Sequence, residues 1–235
     1  MDVVDFHSSH SRSFLEGYTR SAAFRERRDI WNRLIERYMG PGGSLLDVGC
    51  GPGIFTCHGA GIAGSAVGID GSEEMLHIAR AMAHSRQLGN VTFEQMRMED
   101  IPTRIAEKFD MVLCSSVLEY FDDLDAGLDI LSDRVKPGGI LIVSLPNAWS
   151  PYRLAERAAF ALIGRPSYYR FVKHVVTPGS IRDRLSRRNL TCDLLEYYGS
   201  ALKLDSASNY LRPKAIFNNI FAMVCRKNPR ENSKL

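Results

Sequence analysis

The run Leu45-Leu46-Asp47-Val48-Gly49-Cys50-Gly51-Pro52-Gly53 puts three alternating glycines directly after an apolar stretch, with an aspartate two positions ahead of the first. Glycine lets a ligand approach the backbone closely, so the turn reads as a ligand loop. A dinucleotide fingerprint needs G-x-G-x-x-G to seat a pyrophosphate on a helix N-terminus. Here the third glycine stands one position early and Ile54 fills the last slot. The Gly-Lys-Ser/Thr of a P-loop is absent. Asp47 repels a phosphate and suits a cation. A second carboxylate, Asp70, closes Val67-Gly68-Ile69 and lies 19 residues after Gly51. An acid at such a strand end accepts two hydrogen bonds from ribose hydroxyls. Met98-Glu99-Asp100, after a third apolar stretch, offers an acceptor for an adenine amino group. The three acidic positions together describe a nucleoside without phosphates.

This constellation resembles the class I S-adenosylmethionine-dependent methyltransferases. It is carried by LLDVGCGPG (45–53), VGID (67–70), MED (98–100), FDMVLCSSVLEYFDD (109–123) and KPGGILIVSLPN (136–147), and it covers roughly residues 14–225. The last two blocks look most like the ubiquinone-biosynthesis and small-molecule branch. The resemblance implies S-adenosyl-L-methionine as cofactor. Asp47 and the Gly49 backbone would meet the methionine ammonium, and Cys50 and Gly51 would lie against the cofactor. Asp70 would hold the ribose hydroxyls, with Gly71 and Met75 flanking ribose and adenine; Met75 serves equally well as core. Met98 would pack on adenine, and Glu99 or Asp100 would accept from its amino group. Cys114 and Ser115 would line the methionine side with backbone groups. Many relatives close an N-terminal helix over the cofactor, and Tyr18, Arg25 and Arg28 are the candidates for that contact.

The implied reaction is an in-line displacement at a methyl carbon already activated by sulfonium. Its leaving group is neutral and needs no proton. The protein's main contribution is to hold the nucleophile in line at about 3–3.5 Å. A base matters only for an un-ionised hydroxyl, amine or carbon acid. Many relatives of the quinone branch carry Glu-His after the fourth strand, where this chain has Glu119-Tyr120. The catalytic candidates are His174, as a base replacing that histidine, and Tyr120, orienting substrate or cofactor. A packing role competes for both. His58 reads as structural. The Asn-Pro-Pro-Tyr motif of amino-methylating nucleic-acid enzymes is absent, and the acceptor atom stays open among O, N and C.

The elements that must position these residues alternate. Strands are expected at Ser44–Val48, Ala66–Ile69, Val91–Gln95, Phe109–Cys114, Ile140–Leu145, Thr191–Tyr197 and Ile216–Cys225. A helix over Phe14–Met39 carries Trp31, Leu34, Ile35 and Tyr38 at 3–4 spacing. Ser72 caps a further helix with Met75, Leu76 and Ala79 on its apolar face. Others cover Leu124–Val135 and, from Pro178, the stretch to about Arg188. Such alternation predicts an α/β, Rossmann-like, doubly wound, mostly parallel seven-stranded sheet. A helical lid is inserted at 148–176. The expected organisation is an N-terminal helical cap (1–40), a cofactor-binding core (41–147 and 177–227), the lid and a polar tail (228–235). The stretch Tyr198–Lys214 reads as irregular.

The chain has 235 residues, 45% hydrophobic and 24% charged, as an ordinary globular domain has. No apolar run reaches the roughly 20 residues that span a bilayer, and a cytoplasmic location is expected. The five cysteines form no CxxC pair, so no metal site is expected. Charge is asymmetric: residues 1–150 hold 14 basic and 21 acidic side chains, a balance of −7, and residues 151–235 hold 16 and 6, a balance of +10. A basic C-terminal third suits an anionic partner, although solvated helix faces explain it equally. The lid interleaves Trp149, Tyr152, Phe160, Tyr168, Tyr169 and Phe171 with Arg153, Arg157, Arg165, Arg170 and Lys173. Trp149, Tyr152, Arg153, Tyr168 and Tyr169 are its candidate substrate contacts. Aromatics fit an apolar or planar acceptor and arginines a carboxylate or phosphate. A lid over a small, anionic or aromatic molecule competes with a dimer or carrier-protein contact and a membrane-surface helix; nucleic acid is disfavoured. The chain is expected to be monomer or homodimer. A macromolecular acceptor and a non-catalytic cofactor-binding module are the alternative functions.

Overall fold

A computed structural model describes residues 2–200 and 214–229. Among them seven strands form one sheet: β1 (Ser44–Val48), β2 (Ser65–Asp70), β3 (Val91–Gln95), β4 (Phe109–Ser115), β5 (Val135–Pro146), β6 (Leu190–Ser200) and β7 (Asn218–Lys227). Their order is β3-β2-β1-β4-β5-β7-β6. The first five run parallel. β7 is antiparallel to both β5 and β6.

The central strands are buried on both faces, and their period-2 alternation sends successive side chains to opposite layers. Leu46, Val48, Val112, Leu141 and Val143 join one core with Ile101, Leu128, Leu131 and Ile181. Leu45, Met111, Leu113, Ile140 and Ile142 join the other with Trp31, Leu34, Ile35 and Phe55. The first core belongs to α6 (Ile101–Arg104), α7 (Leu124–Asp133) and α9 (Pro178–Ser186), the second to α3 (Ala22–Tyr38) and α4 (Ile54–Ala60). This is the doubly wound arrangement that the sequence rhythm implies. Ser72 caps α5 (Glu73–Ser85) by accepting from the Met75 N–H at 3.2 Å, as expected.

Several boundaries differ from expectation. The single helix over Phe14–Met39 is two, α2 (Ser11–Arg20) and α3, with α1 (Val3–Ser9) ahead of them. Ser21 is extended at the break, and the fold lets Phe14 and Tyr18 meet Phe24 with ring centroids 5.2 and 5.0 Å apart. Arg25 Nη1 donates to the Thr19 carbonyl at 2.7 Å, covering an orphan acceptor of the α2 end. β5 begins five residues before the expected Ile140, with a register shift between Phe109 and Met111 taking up the Pro137-Gly138-Gly139 turn. β7 starts at Asn218, after a short helix α10 (Lys214–Phe217). Of the expected irregular stretch, 198–200 belong to β6 and 201–213 lie outside the described residues. The lid contains α8 (Pro151–Ile163) and a 3-10 turn, Ser167–Phe171. Among the described residues no helix is long and apolar enough to cross a membrane.

Strand order reverses between β1 and β4. In open α/β sheets a ligand crevice opens at the carboxyl ends of the strands at that point. The glycine loop follows β1 and the segment beginning Ser115-Ser116 follows β4, so the topology brings them to the two sides of one crevice.

Candidate functional site

β1 delivers Asp47, which is 1% exposed. Thr56, on the first turn of α4, donates its hydroxyl to Asp47 Oδ2 at 2.6 Å. Burial pushes the Asp47 carboxyl up to about 6, and the nearby Asp70 charge adds to this, while Thr56 and Arg27 pull it down. A buried carboxyl whose hydrogen-bond donor is a neutral hydroxyl is suited to a cation. Past it, Gly49 and Cys50 donate their N–H groups to the Ile69 carbonyl at 2.8 and 2.9 Å, clamping the loop to the end of β2.

The glycines do different work. Gly49 has φ +69°, and a Cβ there would stand 2.2 Å from Val117 Cγ2, so it is closed by the β4 side of the crevice. Gly51 has φ +52° with nothing within 4 Å of a built Cβ. Its N–H donates to Asp70 Oδ2 at 2.8 Å. Asp70 Oδ1 accepts from Ser72 N–H at 2.9 Å. Burial raises the Asp70 carboxyl against these two donors. An open glycine beside a half-buried carboxylate is a cradle for a ligand rather than a packing joint.

The other expected cofactor residues divide. Gly71 lies beneath α1, where a built Cβ would be 2.9 Å from Val4. Met75 is buried. Met98 is buried in the core beside Gly127, and the Cys114 side chain packs in that core at the end of β4. Glu99 and Asp100 are exposed, and Asp100 is engaged by the Arg97 N–H at 3.3 Å. Tyr18 is buried among Phe14, Phe24 and Phe55. Arg28 is paired to its neighbour Asp29 at 3.0 Å on the surface. The arginine that reaches the crevice is Arg27: its Nη2 donates to Ser115 Oγ at 2.8 Å and to the Ser115 carbonyl at 3.1 Å. Its guanidinium stands 5.6 Å from the Phe55 centroid. Its buried Nε has no hydrogen-bond partner. Arg27 sits on the 27-31-34-35 stripe of α3, with buried Trp31, Leu34 and Ile35. A charge on that apolar stripe was the signal that could have singled it out.

α1 crosses the crevice. Ser8 donates to Ser72 Oγ at 2.7 Å, and Asp2 pairs with Arg97. The His7 ring is 5.5 Å from Tyr120, and Phe6 is 5.5 Å from Phe171 of the insertion. Burial lowers the His7 imidazole, which favours its neutral form.

On the acceptor side, Trp149 and Tyr152 face solvent at 51% and 44% exposure. Arg153 and Tyr168 turn inward onto Glu156, which sequence reasoning missed. Arg153 Nη1 donates to Glu156 Oε2 at 2.6 Å and the Tyr168 hydroxyl donates to Oε1. Tyr169 packs on Phe160 and lines a cavity of about 430 Å³ with Arg153, Arg157, Lys173 and Val172. His174 is not aimed at this cavity: its Nε2 is 2.9 Å from the Phe121 carbonyl oxygen, and it lines a separate acidic depression with Asp122, Asp123 and Asp125. Tyr120 is largely enclosed, and burial drives its phenol further from ionisation.

Residues 40–178 match the family described as "Methyltransferase domain". The chain belongs to the methyltransferase-domain family. Its sheet order and glycine loop give it the class I S-adenosylmethionine-dependent methyltransferase architecture. It is 32% identical over 123 residues to a ubiquinone biosynthesis O-methyltransferase of Acinetobacter baylyi, covering 52% of this chain and 50% of that one. Identity to the enzyme of the same name from Glaesserella parasuis is 33% over 127 residues, covering 52% and 51%. The chain thus spans about half the length of the curated relatives it matches. Among solved structures, the magnesium protoporphyrin IX methyltransferase of Synechocystis with bound SAH superposes with a TM-score of 0.74 at 15% identity, over 96% of this chain and 98% of that one. An N-methyltransferase of Bradyrhizobium japonicum superposes with a TM-score of 0.63 at 17% identity, over 89% and 90%. At these identities the structures speak for the methyltransferase fold alone.

Proposed function

We propose that this chain is an S-adenosylmethionine-dependent methyltransferase acting on a small, aromatic or anionic molecule at a hydroxyl oxygen. The observation that carries the cofactor is the pairing of Asp70 with the open Gly51. The carboxylate stands at the end of β2 and already accepts the Gly51 and Ser72 N–H groups. Its remaining lone pairs suit a vicinal diol. Gly51 leaves room beside it, and Asp47 stands ready for an ammonium. The orphan Nε of Arg27 fits the carboxylate of an amino acid. A diphosphate would meet two carboxylates here. When bound, the cofactor supplies a methyl group on a sulfonium sulfur with a neutral thioether as leaving group.

Asp47, Asp70, Gly49, Gly51 and Arg27 then bind and orient, and α1 closes over Gly71 and Ser72 to exclude water. The insertion serves as the acceptor lid, with Tyr169, Arg157 and Lys173 lining the cavity that takes an aromatic or anionic group. Oxygen as the acceptor atom is favoured by the activity that the curated relatives' names carry.

Isothermal titration tests the reading. Wild-type protein is expected to bind S-adenosylhomocysteine and not NAD or ATP. Asp70→Asn should weaken that binding roughly tenfold to a hundredfold, the scale of hydrogen bonds to a charged group. Unchanged affinity in the variant, or preferential binding of NAD, overturns it.

A further inference from the structure

We propose that Glu119 is the catalytic base of this site, its Oε2 taking the proton of the acceptor hydroxyl as that oxygen is methylated. The inference rests on the function proposed above and deepens it.

Glu119 stands on the β4 side of the crevice, in the 3-10 turn Leu118–Tyr120. The segment that carries it is held in an unusual geometry. Ser116 has φ +58°, a region that side-chain-bearing residues rarely adopt and that clusters at functional sites. Its N–H is fixed by Ser144 Oγ at 3.1 Å. The Glu119 carbonyl accepts from Lys173 N–H at 2.7 Å and His174 N–H at 3.2 Å, so the end of the lid locks the turn in place.

The side chain is 5% exposed, and its Oε2 has no hydrogen-bond partner. Buried polar atoms are nearly always paired, and leaving one unmade is costly. Charged groups surround it without claiming that oxygen. Arg27 of α3 is spent on Ser115. Arg153 of α8 is spent on Glu156 and on the Asn219 carbonyl at 3.2 Å. Tyr198 of β6, Cys114 of β4 and Tyr120 are the other titratable groups that feel its charge. The vacant lone pair therefore calls for a donor from a ligand.

Competing bases are less apt. Glu156 is satisfied by Arg153 and Tyr168, His174 by the Phe121 carbonyl, and the Tyr120 phenol is driven further from ionisation. Burial raises Glu119 to about 7, with Arg153 and Arg27 opposing, which suits a group that must gain and lose a proton near neutrality. In the step, the acceptor O–H bond breaks and its proton passes to Oε2. The freed pair forms the oxygen–methyl bond, and the methyl–sulfur bond breaks with its pair left on sulfur. The protonated carboxyl then returns its proton to water.

Glu119→Gln and Glu119→Asp, with catechol as probe acceptor, test this. Both variants should bind S-adenosylhomocysteine as wild type does in calorimetry, which also shows that they fold. Infrared difference spectra of wild type minus E119Q should show a carboxyl band that titrates near neutrality and shifts when catechol joins the S-adenosylhomocysteine complex. Where catechol is turned over, E119Q should lose roughly 10²–10⁴-fold in rate along with the acidic limb of the pH profile, and E119D should restore part of both. A band that is absent or blind to catechol, or an E119Q enzyme that keeps its rate and acidic limb, overturns the inference. Failure of wild type to bind S-adenosylhomocysteine instead overturns the proposed function beneath it.

Discussion

The two sides of the crevice are built in different ways. The β1–β2 side is made from a short, contiguous stretch: a glycine turn, two strand-end aspartates and a helix cap, held by backbone N–H groups of Gly49, Cys50, Gly51 and Ser72. The β4–β5 side is assembled from distant pieces: Arg27 from α3, His7 from α1, Glu119 after β4, and Arg153, Glu156 and Tyr168 from the insertion. Backbone geometry needs particular residue types at fixed spacing. Side-chain clusters across elements need only that tertiary packing bring them together. The first side is therefore fitted to one invariant ligand, and the second is free to change with the acceptor.

The largest expected effect separates folding from binding within the first side. Gly49→Ala puts a Cβ 2.2 Å from Val117 at φ +69°. It combines overpacking with a left-handed penalty, together about 3 kcal/mol of stability in urea unfolding. Val117→Ala in the same chain should recover a substantial part. Gly51→Ala, at φ +52° in open space, should cost only the backbone penalty of about 1–2 kcal/mol. It should nevertheless lose S-adenosylhomocysteine binding, because its methyl fills the cradle. Equal behaviour of the two variants in both assays breaks the distinction.

That contrast also accounts for what the sequence made legible. Strand alternation, the Ser72 cap, Asp47, Asp70 and the glycine turn are local chemistry, and they stand where they were expected. The split at Ser21 was hidden because no proline or glycine stands at the break and residues of α2 and α3 pack into the same core. Only the packing of Phe14 and Tyr18 on Phe24 requires the bend. Arg25 and Arg28 stood out for charge, yet one covers a helix end and the other pairs with its neighbour. Arg27 was legible only as a charge on the Trp31 stripe. Glu119 and Glu156 were unreadable as sites, since what distinguishes them is a vacant oxygen in one and a full set of partners in the other.

The second expectation concerns how the first side answers pH. The Asp47 carboxyl is raised to about 6 in the folded chain, chiefly by burial. In the free protein, protonated Asp47 favours the fold. The contribution is present below the ordinary value of 3.8 and is lost as pH rises through about 6. A bound ammonium favours the ionised form, so affinity for S-adenosylhomocysteine should rise with pH up to about 6, by as much as about tenfold per pH unit, and then level off. Calorimetry between pH 5 and 7 measures the slope. Asp47→Asn should abolish it together with much of the affinity. A slope that survives in the variant assigns the proton elsewhere.

The smallest effect bears on the second side. His174 was the sequence's candidate base, and its ring nitrogen is instead 2.9 Å from the Phe121 carbonyl oxygen, joining the end of the insertion to the segment after β4. Removing that bond with His174→Ala should cost about 1 kcal/mol, the worth of one ordinary hydrogen bond. The cost is local, because His174 lies at the lid's edge rather than in either core; hydrogen exchange in 172–176 should quicken while the exchange of β1 and β4 amides stays as in wild type. The pH profile of methyl transfer should keep its shape, since the imidazole is committed to a carbonyl. If the variant instead loses its acidic limb, the proton passes through the lid, and the acceptor side depends on the insertion for chemistry as well as for shape.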